Sequence, residues 1–356
     1  FVWWIGREWF PSPQGYSLQI GGLVAAALYA VSPTVITYSR SSWNPNIMPF
    51  FALLSIYAIW RVLHLNQFKW SIVLGISYAF VLQSHYLGLL LAPTLLLFYV
   101  LTVIRLRVNV LRVMNSNAQL ATRNSLIDEQ RNFFKYSIIG LALFLVLMSP
   151  LVIFDARHGW RNFDAMKKFF TERQTTVSAL PWNATPKIYP LFEKVNTRLV
   201  AGKNEAIGKW VSLGIVTLLG LLILLKKSRS YILYPTFYIL LAWIGFALLG
   251  LGLYKQEIYD HYYGFFFPAP FLLLGAVTQY LIQNTKYLIK IVLIFAFCIL
   301  IFVNLQSSPL RYSPNRQLQR TEEVASKIAE EAKEEKFNLA VIAERNYEDA
   351  YQYFLE

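Results

Sequence analysis

The chain has 356 residues, of which 56% are hydrophobic, 16% aromatic and 15% charged, and its net charge is +13. Such a composition is too apolar for a soluble domain of this size, and a single cysteine, Cys298, excludes a disulfide framework. The positive charge is dealt out to alternate connections between apolar runs instead of collecting in one patch, which excludes nucleic acid as its cause and makes anionic membrane lipid the simpler partner.

Nine apolar runs lie near 17–37, 47–63, 70–83, 86–104, 136–154, 210–225, 231–253, 264–282 and 287–305. Most approach the roughly 20 residues that a helix needs to cross about 30 Å of hydrocarbon. They lack the ten-residue alternation of a barrel, so the predicted fold class is an all-α polytopic membrane protein. Residues 1–305 form the predicted helix bundle. Phe1 is not an initiator Met and no signal-peptide pattern precedes the first run, so the sequence reads as beginning partway into a longer protein.

The first connection, 38–47 (YSRSSWNPNI), carries Arg40, Trp43, Asn44 and Asn46 with Pro45. The stretch 70–104 is long for one helix and lean for two. Two spans turning at Gln83-Ser84-His85 keep the arginine-rich segment 105–135 on the same side as the other basic connections. Those connections hold Arg61 and Lys69; Arg105, Arg107, Arg112, Arg123, Arg131 and Lys135; Lys226, Lys227 and Arg229; and Lys286 and Lys290. By the positive-inside rule they are cytoplasmic. Segments 38–47, 83–86, 155–209 and 254–263, with the tail from about 306, then face outward.

Segment 105–135 is expected to lie on the cytoplasmic surface as a weakly amphipathic stretch. The 155–209 segment opens with DARHGW and continues through NFDAMKKFF, which suggests short interfacial helices covering a mouth. After 306 the composition changes. Residues 317–336 are helical in pattern, FNLAVIAE is strand-like, and NYEDAYQYFLE begins another helix, together reading as the start of a small extracytoplasmic α/β domain over 306–356. There is no Walker motif, GxSxG or CxxC.

The predicted orientation gathers polar chemistry at one boundary. Arg40, Asn46, His85, Tyr86, Asp155, Arg157, His158, Lys255, Asp260, His261 and Tyr262 all fall on the outer side, whereas His64 falls inside. Ionisable groups at the edge of a span are costly unless paired or functional. Each has a plainer reading as well: Arg40 snorkelling to headgroups, His85 as a satisfied interface histidine, and Asp155 with Arg157 as a self-contained ion pair. Their coincidence on one face favours a substrate pocket.

The order of SPTVITYSRSSWNPNIMPFFALLSIYAIW, LQSHYLGLLLAP, SPLVIFDARHGWRNFDAMKKFF and YDHYYGFFFPAPFLLLG resembles the GT-C membrane glycosyltransferases. The nearest group is the family 39, protein-mannosyltransferase-like (RgtA/B/C/D-like) enzymes of bacteria. The resemblance implies transfer of a hexose or pentose from a polyprenyl-phosphate donor to an extracytoplasmic acceptor, by a multi-pass protein of the bacterial plasma membrane. It also implies a first span and outer loop carrying the catalytic acid, expected upstream of Phe1. Where the family carries an acid after Arg40, this sequence has Asn46, an amide that cannot act as a base. A divalent metal is left open. On such a reaction the shared outer position of these residues suggests Arg40, Arg157, Lys255 and His261 for the phosphate, and His85, Tyr86, Asp155, His158 and Asp260 for the sugar or acceptor. A transporter or flippase of lipid-linked or anionic solutes, or a membrane-anchored scaffold, is the competing class.

Overall fold

A computed structural model describes residues 1–10, 19–41, 43–115, 120–171, 176–178, 180–224, 235–333, 335–342 and 348–356. Among these residues the chain is helical and has no strand, with one isolated antiparallel bridge between Val177 and Tyr254. Two compact units result, Phe1–Pro309 and Leu310–Glu356.

The first unit contains α1 (Val2–Trp9), α2 (Ile20–Val31), α3 (Pro33–Ser39), α4 (Met48–Leu65), α5 (Trp70–Ser84), α6 (Ala92–Met114), α7 (Leu120–Arg157), α8 (Arg161–Thr171), α9 (Thr185–Leu199), α10 (Glu205–Leu224), α11 (Pro235–Gly252), α12 (Pro268–Asn284) and α13 (Tyr287–Gln306). Single 3₁₀ turns at Asn44–Ile47, Tyr86–Leu91 and Asp260–Phe266 lead into α4, α6 and α12. Proline opens several of these helices, at Pro33, Pro49, Pro93 and Pro268, where its missing N–H is no loss.

Each of the nine apolar runs contains a helix, and the break at His85 falls where two spans were expected to turn. Among the described residues four helices are long and apolar enough to cross a membrane, and up to six if two bent pairs are counted as spans. The bends are 62° between α2 and α3, and 59° between the Asp260–Phe266 turn and α12. The chain is therefore an all-α integral membrane protein. Lys226, Lys227 and Arg229 lie outside the described residues.

One expectation needs correction. Segment 105–135 is not a surface stretch of its own: α6 runs on to Met114 and α7 starts again at Leu120, so Arg105, Arg107, Arg112, Arg123, Arg131 and Lys135 ride on the ends of membrane helices. A helix satisfies its own backbone, so continuing the spans as helix leaves fewer polar groups to place than a loop would. At 38 residues α7 is about 57 Å long, well beyond a hydrocarbon core.

Small residues set the closest approaches. A side chain at Gly75 of α5 would collide with the Gly140 carbonyl of α7, and one at Gly21 of α2 with the Gly275 carbonyl of α12. Without a hydrophobic drive between helices in lipid, such approaches and polar links carry the association. The links include Gly21 N–H to Gln279 Oε1 (2.9 Å) and Ser55 to Ser77 (2.8 Å). At the end of α9, Ser32 Oγ donates to Leu199 O and Thr34 Oγ1 to Arg198 O, both at 2.6 Å.

The second unit holds α14 (Gln317–Ala332) and α15 (Asp349–Leu355), which pack on each other. FNLAVIAE, expected as a strand, occupies residues 337–344; its described part, 337–342, has no strand pairing among the described residues. A strand is stable only with a partner ladder, and the described residues offer none.

Candidate functional site

The two ends of α4 differ in chemistry. At its C-terminal end Arg61 pairs with Glu8, the Tyr57 hydroxyl also donates to Glu8, and Arg105 bonds to Leu63 O and Asn66 Oδ1. At its N-terminal end, one helix length and about 30 Å away, lies a cluster of rings. His261 contacts Trp43 (centroids 4.6 Å), Tyr262 (4.5 Å), Tyr259 (5.8 Å), His85 (6.0 Å) and Tyr38 (6.2 Å). His85 stacks on Tyr86 at 4.3 Å. Tyr262 shares hydroxyl hydrogen bonds with Tyr86 and Tyr254.

Local folding explains these placements. His85 interrupts α5 and α6 in an extended conformation, and its Nδ1 accepts the Leu87 N–H at 3.2 Å, as a cap does. That bond leaves Nε2 as the proton-bearing nitrogen when the ring is neutral. Burial first, and then the nearby His261, lower the His85 pKa from 6.5 to about 4, so the ring is uncharged near neutrality. Asn46 turns its amide back to Ser41, while its Oδ1 is buried without a hydrogen-bond partner.

Asp260 is held in a fork. Arg198 Nε donates to both carboxylate oxygens, at 2.8 and 2.9 Å, and its side chain is 35% exposed against 13% for Asp260. The bond to Asp260 is the main reason the Arg198 pKa is raised. Arg198 was not among the residues predicted from sequence. A signal existed: Lys187, Lys194 and Arg198 are spaced i, i+7, i+11 on one face of α9. Lys187 Nζ donates to Tyr254 O (3.0 Å) and Lys194 Nζ to Ile258 O (3.1 Å), so the same face grips the 254–260 segment three times.

Two hollows meet at Tyr38. One, of about 340 Å³, is walled largely by apolar groups such as Tyr29, Val35, Phe50 and Phe267, with Asn46 at its edge. The other, of about 930 Å³, is polar and is lined by Arg198, Lys203, Lys209, Glu193, Glu205, Glu257, Asp260 and His261. Burial and the neighbouring Arg198 lower the Lys203 pKa. Among the described residues no three His, Cys, Asp or Glu side chains converge to hold a metal ion.

The structure thus brings His85, Tyr86, Asp260, His261 and Tyr262 together, with Asn46 beside the apolar hollow. Arg40 is exposed at the end of α3. Lys255 is exposed, and its backbone N–H donates to Thr176 O at 2.9 Å. Gln83 Nε2 donates to Leu147 O, which puts the C-terminal part of α7 at the same end of the bundle. The DARH residues on α7 nevertheless take separate roles. Asp155 accepts the backbone N–H groups of Asn162 (2.8 Å) and Phe163 (2.9 Å), capping α8. Arg157 is exposed, and His158 lies against Phe154 with ring centroids 4.0 Å apart.

A family model of dolichyl-phosphate-mannose-protein mannosyltransferases matches residues 9–116. No curated protein and no solved structure matches the chain. The matched stretch covers α2 to α6 and includes Arg40, Asn46, His85 and Tyr86. Residues 9–116, less than a third of the chain, are thus similar to a family of mannosyltransferases named for a lipid-linked sugar donor.

Proposed function

We propose that this GT-C mannosyltransferase-like chain moves a sugar from a polyprenyl-phosphate carrier to an extracytoplasmic acceptor, at the end of the bundle where His85 and His261 meet. The reaction forms a bond between an acceptor hydroxyl and the sugar's anomeric carbon. It breaks the bond from that carbon to the phosphate oxygen, and the electron pair leaves on polyprenyl phosphate. The acceptor proton passes to a carboxylate, and nearby donors and cations offset charge growing on the departing phosphate.

One observation carries this reading: a polar cleft and an apolar hollow share the wall at Tyr38, beside His261. A substrate with a sugar-phosphate head and an isoprenoid tail needs that pairing of surfaces. Arg198, fixed by Asp260, and His261 are placed to hold the head. The exposed rings of Trp43 and Tyr259 offer flat faces for a sugar. An acceptor glycan, lipid or protein would approach through the larger cleft. The basic ends of α4 and α6 face the cytoplasm in this reading, which puts the reaction outside a bacterial plasma membrane.

The test is transfer in membranes carrying the full chain, fed radiolabelled polyprenyl-phosphate hexoses and pentoses. His261→Ala and Arg198→Ala should each lower transfer by about 10²-fold or more. Undiminished transfer in both variants would overturn the assignment. A transporter or flippase would instead move label across the membrane with no product on any acceptor.

A further inference from the structure

We infer that α8 is a docking surface for the anionic phospholipid headgroups of the membrane that its own chain spans. The argument begins with the end of α7. Leu151, Val152, Ile153 and Phe154 are each about half exposed. Four successive helical positions point in all directions, so this turn is apolar on every side and is stable in hydrocarbon. Arg157 and His158, exposed just beyond it, mark the headgroup level.

The chain then bends and α8 begins within four residues. The bend is built, not loose. Gly159 and Trp160 take left-handed φ values of 72° and 59°, the Trp160 N–H reaches Asp155 O at 2.8 Å, and the buried Asp155 carboxylate caps the first turn of α8. Residues 161–168 are exposed throughout. Phe163 and Met166, three apart, share one face, and Trp160 stands exposed just before the helix. Arg161, Asp164 and Lys168 share the opposite face at i, i+3 and i+7, and Lys167 flanks the apolar side. A short helix with aromatic groups on one face and an excess of cations on the other lies in the plane of an interface. Three cations against one acid select an anionic surface, and an all-round apolar span ending at Phe154, seven residues before α8 begins, delivers the helix to that depth. Continuity with α7 and charge complementarity thus name the occupant.

The consequence reaches the mouth. Shortly after α8, Thr176 O accepts the Lys255 N–H and the Ser178 N–H donates to Leu253 O, so the chain leaving α8 is paired to the strip that carries Tyr254.

The test uses the full chain with Cys298→Ala and one new cysteine, Phe163→Cys or Lys168→Cys, carrying an environment-sensitive fluorophore. The protein is placed in nanodiscs of phosphatidylcholine alone, or of phosphatidylcholine with phosphatidylglycerol, with nitroxide-bearing acyl chains. Quenching at position 163 should exceed that at 168 by about twofold or more, and should increase with phosphatidylglycerol. Arg161→Gln, Lys167→Gln and Lys168→Gln together, in the Phe163→Cys chain, should remove the dependence on phosphatidylglycerol; all three cations are exposed, so packing is untouched. Equal quenching at the two positions, or no response to phosphatidylglycerol, overturns the inference. So does a label at 163 that is shielded from aqueous iodide yet unquenched by the nitroxide lipid, which would mean that a protein covers the face.

Discussion

Arg198 and Asp260 show how much one pairing decides at the mouth. A guanidinium fork matches a carboxylate in a way that an ammonium cannot. Asp260→Ala strands a cation that is about two-thirds buried, and is expected to lower the unfolding midpoint in detergent, at a cost of about 1–3 kcal/mol. Arg198→Lys keeps the charge but not the fork, and should lower the midpoint less than Asp260→Ala does. His85 carries a pH dependence whose sign follows from its depressed pKa. Above about 6.5 the ring is neutral whether folded or unfolded, and its contribution is complete. As pH falls towards about 4 the unfolded chain takes up a proton that the folded site resists, so stability declines across that window. Thermal unfolding of the native chain should show the decline between these values, and His85→Gln should make it shallower. His85, Asp260 and His261 were legible in the sequence because each interrupts apolar residues at a boundary. The role of Asp155 was not: its capping partners come from a helix whose bend depends on two left-handed residues, which no charge count reveals. Arg198 escaped because its partner lies 62 residues further along the chain.

The elements of the bundle meet through their smallest residues. Replacing Gly75 or Gly140 by Leu should separate α5 from α7 and cost about 1–3 kcal/mol, read as a lower unfolding midpoint of the purified protein. Gly214→Leu on α10 is the matched control, since nothing lies within 4 Å of a Cβ built there; its midpoint should fall far less. Helix positions were readable from apolar runs, and so was the turn at His85. Helix ends were not. The arginines of α6 and α7 look like a loop by composition, yet they extend helices past the membrane because each added turn satisfies its own backbone. The strand expected near residue 340 finds no partner among the described residues, for the complementary reason: sequence can supply β-forming side chains, but pairing needs a second strand.

The whole molecule has a polarity that labelling can read. In a Cys298→Ala chain, cysteines at His85 and His261 should react with an impermeant maleimide from one face of sealed vesicles, and a cysteine at Gln67 from the other. If His85 and Gln67 label from the same face, the separation of the two ends by α4 is wrong. A chain ending at Pro309 should keep its unfolding midpoint within error, because the bundle and the residues beyond it are separate compact units. The expectation of polarity comes from the basic connections; the cleft had no such signal, since α9 supplies much of its wall from a segment with no strong pattern. The bend between α2 and α3 has one more implication. Ser32 and Thr34 hook the elbow of that broken helix to the last carbonyls of α9, and the far end of α2 is pinned to α12 through Gln279. The last turn of α9, which presents the Arg198 fork to Asp260, is therefore moored by two hydroxyl groups, and Ser32→Ala with Thr34→Ala should loosen that fork without touching either of its members.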